Sequence, residues 1–239
     1  MILLIDCSSG ASGDMLLAGM LDLGLPVGEV RRCLKRLGLG GVELRVERVR
    51  IGEIWARRVR VRCRRGTPLP CAAGGLIRRI RGSVLAPVLR EKVARLFSRL
   101  ATTEAAAHSV PAARVRFHQL AEPDALAAVA GFCAGLERFK VRAVHATPVP
   151  VGAWHLGHRG KWIHRPGPAT LRLLKGFPLR RAEGRFEWTT PTAAALLAQY
   201  ASPAPPPPVR VERIGHAVGH KVAPAGPAPL TLLLGYPLG

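Results

Sequence analysis

The chain has 239 residues, 48% of them hydrophobic, and 36 Lys and Arg against 15 Asp and Glu give a formal net charge of +21. That length fits one large domain or two small ones, and the apolar content excludes a disordered chain. The longest apolar stretches, such as Ala125 to Leu136, are too short and Ala-rich to span a bilayer, and the four-residue apolar run at the N-terminus lacks the basic flank of a signal peptide.

Ile2–Ile5 reads as a buried parallel strand. Gly13–Leu23 reads as a helix ended by Gly24 and Pro26, and Val27–Leu37 as a second, stopped by Gly38, Gly40 and Gly41. Val42–Val49 and Val59–Cys63 alternate as half-exposed strands with their arginines toward solvent. Thr67–Gly75 is a Pro- and Gly-rich loop, and a sub-boundary falls near residues 65–85. Ala86–His108 spaces Leu89, Val93, Leu96, Phe97 and Leu100 along one face of a long helix. Asp124–Arg138 is another, with Leu126, Val129, Cys133 and Leu136 as its seam. An extended Val141–Val151 and a short helix at Pro166–Lys175 follow. Thr190-Pro191-Thr192 opens a helix over Ala193–Tyr200. Pro203–Pro208 is a proline-rich connector, and Val209–Ile214 and Leu230–Leu234 are strands. The expected fold is α/β, a mixed sheet with flanking helices in a single domain, with room for a smaller α+β subdomain.

Five cysteines, at positions 7, 33, 63, 71 and 133, have no short paired spacing. They exclude a zinc ribbon and a disulfide scaffold and point to a reducing compartment, the cytoplasm. The positive charge invites a nucleic-acid partner. Its distribution argues against one: only Arg57–Arg65 and Arg78–Arg81 cluster, aromatics are 5%, and no recognition module is visible. A GC-rich coding sequence accounts for arginine richness of this kind.

The densest chemistry lies at the start. Asp6-Cys7-Ser8-Ser9-Gly10-Ala11-Ser12-Gly13-Asp14 joins a strand end to a helix start. Ligands of open α/β sheets sit at such strand ends, and a helix N-terminus offers backbone N–H groups to an anion. Ser9, Gly10, Ser12 and Gly13 are candidates to cradle a phosphate, and Asp6 and Asp14 to act on substrate or hold a metal. The plainer alternative is that Ser12 only caps the helix and Asp14 only offsets its dipole. No lysine follows Gly13, so the phosphate loop of P-loop NTPases is not matched.

Among eight histidines, His155, His158 and His164 lie close in sequence, and imidazole suits nickel, zinc, copper and iron. A solvated basic loop is the competing reading. Glu104 and His108 share a helix face at i, i+4 and would chelate a metal or simply support the helix. His118 precedes Asp124, itself at a helix start; a lone histidine there is more often structural than a ligand.

These blocks together resemble the LarC family of nickel-insertion proteins. Asp6 to Met15 with Leu21-Asp22-Leu23-Gly24 is similar to the family's opening. Glu104 to His108, Val115-Arg-Phe-His118-Gln119 to Asp124, Pro148 to Gly152, Pro168-Ala-Thr-Leu171, Thr190-Pro191-Thr192, Ile214-Gly215 and Leu232 to Gly235 follow in the family's order. The resemblance implies insertion of nickel into a pyridinium-3,5-bisthiocarboxylic acid mononucleotide during nickel-pincer cofactor synthesis. In the family this is CTP-dependent with Mg2+ or Mn2+. On this reading Asp6, Asp14, His118 and Asp124 are catalytic, and His108, His118, His155, His158 and His164 handle nickel. The chain departs from the family pattern. Gln119 and Ala128 replace acidic residues, Thr67–Gly82 has no histidine tract, and no counterpart of the family's C-terminal domain is found before Gly239. The resemblance therefore implies a LarC-like N-terminal domain over residues 1–239, homo-oligomeric and partnered by a separate C-terminal domain. The alternative is a basic nucleic-acid-binding protein, or a degenerate paralogue that only binds a partner.

Overall fold

The apolar run at the start of the chain becomes a central strand because both of its edges find partners. The computed structural model describes residues 1–63, 69–117, 122–152, 154–156, 162–164, 166–183, 186–220 and 228–238. β1 (Ile2–Asp6) is followed by α1 (Gly13–Asp22) and α2 (Val27–Arg36). A hairpin of β2 (Val42–Ile51) and β3 (Ile54–Cys63) leads to α3 (Ala73–Arg81), α4 (Pro87–His108) and α5 (Pro123–Arg138). Then come β4 (Ala143–Ala146), β5 (Val149–Val151), β6 (Trp154–Leu156), β7 (Trp162–His164), α6 (Pro168–Leu173) and β8 (Leu179–Arg181). The chain ends with α7 (Pro191–Tyr200), β9 (Ala201–Ser202), β10 (Val209–Ala217) and β11 (Leu230–Pro237).

Seven strands form one mixed sheet in the order β2-β3-β10-β11-β1-β4-β9. β1 runs parallel to β4, as the apolar run predicts, but antiparallel to β11 on its other edge. The parallel pair β5–β8 and the antiparallel pair β6–β7 stand apart from this sheet. The α/β class and the mixed sheet agree with the sequence reading. Three local expectations do not survive. Residues 73–81, placed at the tail of a loop, form α3, because Ala73, Leu76 and Ile80 bury one stripe against α4. β3 starts at Ile54, ahead of the alternating segment, because it pairs residue for residue with β2 back to the turn. The extended segment 141–151 breaks into β4 and β5 around residues 147–148, where Pro148 has no N–H to give a ladder.

Leu3 and Ile5 of β1, Leu230, Leu232 and Leu234 of β11, and Leu44 and Val59 of the hairpin are buried in one cluster with Leu16, Leu17 and Met20 of α1. The helix α1 lies between the sheet and α5, and small residues on both sides let it come close. A Cβ at Gly19 would stand 2.7 Å from Leu232, and one at Gly215 the same distance from the Gly19 carbonyl. On the other side, Gly131 and Gly135 of α5 take Leu17 and Met20. α5 is buried at every residue from 125 to 136, not along a seam. An all-round apolar helix of this kind belongs inside a core. The clamp fixes where the first turns of α1 and α5 point.

Candidate functional site

Three helix starts meet at one cleft of about 820 Å3. Residues 12–14 of the opening loop and α1 line it, with residues 122, 124, 125 and 128 around α5 and residues 190–192 at α7. Residues 59–62 of β3, Arg116, Phe117, Glu104, Glu187 and His220 complete the wall. The first N–H groups of a helix have no partner within it, and its N-terminus carries a partial positive charge. Ser12 caps α1 by accepting from Met15 N at 3.4 Å, and Thr190 caps α7 by accepting from Ala193 N at 3.4 Å. Arg60, Arg62 and Arg116 add formal positive charge, and Arg60 Nε lies 3.9 Å from Glu47. The cleft thus combines anion-binding elements with carboxylates and an imidazole.

Asp14 stands in the first turn of α1 and accepts the Ser12 hydroxyl through Oδ1. Its Oδ2 accepts the backbone N–H of His220 at 3.2 Å and faces His220 Nδ1 at 3.0 Å. Burial works to raise its pKa. Hydrogen bonds from the His220 ring and Ser12, the charge of His220 and the His220 N–H outweigh that and hold the carboxyl below its ordinary value. Asp124, in the first turn of α5, accepts from Ala125 N at 2.8 Å. Burial pushes its carboxyl up; the Ala125 N–H and the charge of His220 oppose this, and the negative charge of Asp14 adds to it. Two carboxylates on neighbouring helix starts are thereby driven in opposite directions.

The opening loop divides in two. Ser12, Gly13 and Asp14 line the cleft, so the capping and dipole roles of Ser12 and Asp14 coexist with a place on its wall. Asp6 turns back on the loop instead. Its Oδ1 accepts Ser8 N at 2.9 Å, Ser8 Oγ at 2.5 Å and Thr147 Oγ1 at 3.3 Å. Gly10 adopts φ +96°, and a Cβ there would meet the Trp188 carbonyl at 2.7 Å. Ala11 N donates to that same carbonyl and Thr190 N donates to Ala11 O, which stitches the loop to the start of α7. Asp6, Ser9 and Gly10 are not among the lining residues. Gly13 packs against Thr192 and Ala128, so position 128 faces the cleft with a methyl group.

Of the histidine candidates, only His108 has a described side chain. His108 is an exposed residue at the end of α4, 3.3 Å from Glu104, and only Glu104 reaches the cleft. His118, Gln119 and His158 lie outside the described residues. In the β6–β7 ribbon, Trp154 pairs with His164 and His155 with Ile163. Among the described residues no three His, Cys, Asp or Glu form a group able to hold a metal. Burial pushes the Cys7 thiol up to about 12, with Asp6 adding to the effect, and burial likewise drives Cys133 to about 12. Neither is a thiolate donor at neutral pH.

His220 and the three arginines escape the sequence reading. His220 stands 206 residues from Asp14, so no spacing rule connects them. Arg60 and Arg62 occupy the outward positions of an alternating strand, a pattern that says solvent and does not say which solvent-filled space.

The model of the nickel insertion protein family matches residues 3–237. A relative from Geotalea daltonii, named for nickel insertion, is 35% identical over 237 residues, covering 98% of this chain and 60% of its own. A pyridinium-3,5-bisthiocarboxylic acid mononucleotide nickel insertion protein from Nocardioides sp. is 35% identical over 242 residues, 98% of this chain and 59% of that one. One of the same name from Desulfitobacterium hafniense is 34% identical over 219 residues, 91% and 54%. The chain spans about 60% of the length of such relatives. No solved structure matches it significantly.

Proposed function

Because this chain belongs to the nickel insertion protein family, we propose that its cleft binds a pyridinium mononucleotide bearing thiocarboxylates and that nickel is inserted into that substrate there. The observation that carries this reading is the convergence of three helix starts and three arginines with the carboxylates Asp14 and Asp124 in one cavity. The substrate chemistry asks for both halves. A phosphate is held by helix N–H groups and guanidinium forks. A borderline cation on its way to sulfur donors is held by imidazole and carboxylate.

In this reading Ser12, Gly13, Thr190 and Thr192 face the phosphate with Arg60 and Arg62, and Asp14 and Asp124 face the reacting end. Asp6, Ser9 and Gly10 serve the site indirectly, by shaping the loop that presents residues 12–14. His118 follows directly on Phe117 in the sequence, and Arg116 and Phe117 are both on the cleft wall, which supports keeping it as a metal-handling candidate. His108 is not on that wall, and His155, His158 and His164 remain candidates on the resemblance alone. CTP use, with its Mg2+ or Mn2+, is assigned to a separate segment like the additional length of the relatives. The free cysteines at 7, 33, 71 and 133 suit the reducing cytoplasm. Among the described residues no helix is long and apolar enough to cross a membrane.

The test is binding of nicotinic acid mononucleotide, a commercially accessible pyridinium mononucleotide, measured by calorimetry without nickel. The expected result is saturable binding that weakens at least about tenfold in an Arg60→Ala, Arg62→Ala double variant, since each charge-assisted contact contributes about 1.5–3 kcal/mol when made. The corresponding nucleoside, lacking phosphate, should bind far more weakly. Equal binding of nucleotide and nucleoside, or an unchanged double variant, would overturn the assignment.

A further inference from the structure

At the other end of α5 from the cleft lies a basin of about 330 Å3. The helix opens at the cleft and ends at the basin, 16 residues and about 24 Å later. Four positive groups line the basin, and they come from three parts of the chain: the Met1 ammonium ahead of β1, Arg138 and Lys140 at the end of α5, and Arg213 of β10. Two of them are held by the backbone. The Met1 ammonium donates to Lys140 O at 3.3 Å, and Arg142 N donates to Met1 O at 2.8 Å. Arg213 Nη1 donates to Leu23 O at 3.1 Å, and its guanidinium lies 5.6 Å from the centre of the Phe139 ring. Glu212, the one carboxylate among the described lining residues, accepts from Arg210 Nε at 3.1 Å, and Arg210 is not on the wall. Among the described residues, no carboxylate pairs with Arg138, Lys140, Arg213 or the ammonium.

Lys140 adds a second observation. It follows Phe139, the cap of α5, and takes φ +50°. Lys140 N donates to Glu137 O at 3.1 Å and Val141 N to Leu136 O at 3.0 Å. Glycine is the usual residue of such a helix-ending turn, because a Cβ is crowded there. A lysine puts an ammonium on the basin wall at that steric cost. The negative end of the α5 dipole offsets part of the gathered charge and accounts for Arg138 and Lys140 taken alone. It does not call for the Met1 ammonium and Arg213, which other elements bring to the same place. We propose that the basin is a second anion site, separate from the cleft, and takes a small multiply charged oxyanion of the phosphate or diphosphate class. Guanidinium forks and ammonium donors suit such an anion, and the half-exposed Tyr236 adds a hydroxyl on the wall. The volume stands at the low end for ligand pockets, which favours the inorganic anion over a nucleotide.

The experiment titrates the full chain with sodium diphosphate by calorimetry, without metal and at constant ionic strength. The background is Arg60→Ala with Arg62→Ala, which removes the guanidiniums proposed for the cleft. Saturable binding should remain in it. Adding Arg138→Ala with Lys140→Gly should weaken that binding at least about tenfold, since two charge-assisted contacts are lost. Adding Arg78→Ala with Arg81→Ala instead takes the same formal charge from the last turn of α3 and should leave the affinity unchanged. Lys140→Gly alone should weaken diphosphate while keeping or raising the urea midpoint, because glycine takes the left-handed turn without strain. Lost binding in that variant is therefore not lost folding. Nicotinic acid mononucleotide should bind the basin more weakly than diphosphate does. No saturable diphosphate binding in the background, or equal weakening by the two added pairs, overturns the site. Tighter binding of the mononucleotide that disappears with Arg138→Ala and Lys140→Gly overturns the choice of the inorganic anion. The cleft reading is tested by the Arg60 and Arg62 pair and this one by the Arg138 and Lys140 pair, so each can fail alone.

Discussion

Asp14 ties the chemistry of the cleft to its stability. Its carboxyl is held below the ordinary value by His220 and Ser12, against the opposing effect of burial. A group whose folded pKa is depressed stabilises the fold above its unfolded pKa, and that contribution disappears as pH falls through the folded value. Metal-free Asp14→Asn should therefore unfold at lower urea than the wild type at pH 7, by about 1 kcal/mol given the half-exposed partner ring. The gap should close as pH drops below the usual carboxylate range, read as converging urea midpoints. Asp124 has the opposite sign, because burial raises its carboxyl, so its ionised form opposes folding at neutral pH. Of these residues the sequence displayed Asp14 and Asp124 plainly, as acids at helix starts. It hid His220, because a lone histidine after a strand has no local pattern to mark it.

At the scale of elements, α1 is the part on which the site depends, and glycines decide its position. Gly215 of β10 has no room for a side chain: a Cβ would lie 2.7 Å from the Gly19 carbonyl and 3.1 Å from Leu23 N, both backbone atoms that cannot swing aside. Gly215→Ala should cost about 1–3 kcal/mol, the range for overpacking a tight core. By tilting α1 it should also weaken mononucleotide binding although residue 215 is not on the cleft wall. Urea unfolding and calorimetry on one preparation would check both. This dependence was partly legible. The helices α1, α2, α4, α5 and α7 follow from apolar spacing and from Pro and Ser or Thr at their starts. The close approach is not legible, since Gly19, Gly131, Gly135 and Gly215 read in sequence as ordinary glycines, and only the packed helix shows what each one admits. α3 was lost for a related reason: the nearby prolines and glycines signal a break, and a short stripe of Ala73, Leu76 and Ile80 overrides it by burial.

For the whole molecule, the net charge of +21 gains a local meaning without becoming a nucleic-acid signal. Three of its arginines border a cleft that also holds five carboxylates, at positions 14, 104, 122, 124 and 187. A basic body around a mixed cavity attracts a phosphate-bearing solute from a distance, and salt screens such attraction within about a Debye length. Raising the ionic strength should lower the association rate of nicotinic acid mononucleotide several-fold while changing its dissociation rate little, as stopped-flow measurements would show. The α/β class was readable from alternating helices and strands, and so was the opening loop as a turn from a strand end to a helix start. The strand order was not: the antiparallel partner of β1 comes from the far end of the chain, and nothing near either segment announces the pairing.

The pairing of Asp14 with His220 also orders events in time. The two residues lie 206 positions apart, and His220 is carried to the cleft by the chain that follows β10 of the sheet. Asp14 precedes His220 in the chain, so the pair closes only after β10 has been made. A copy that stops short of β10 therefore lacks the Asp14–His220 contact and the part of the cleft wall that it closes.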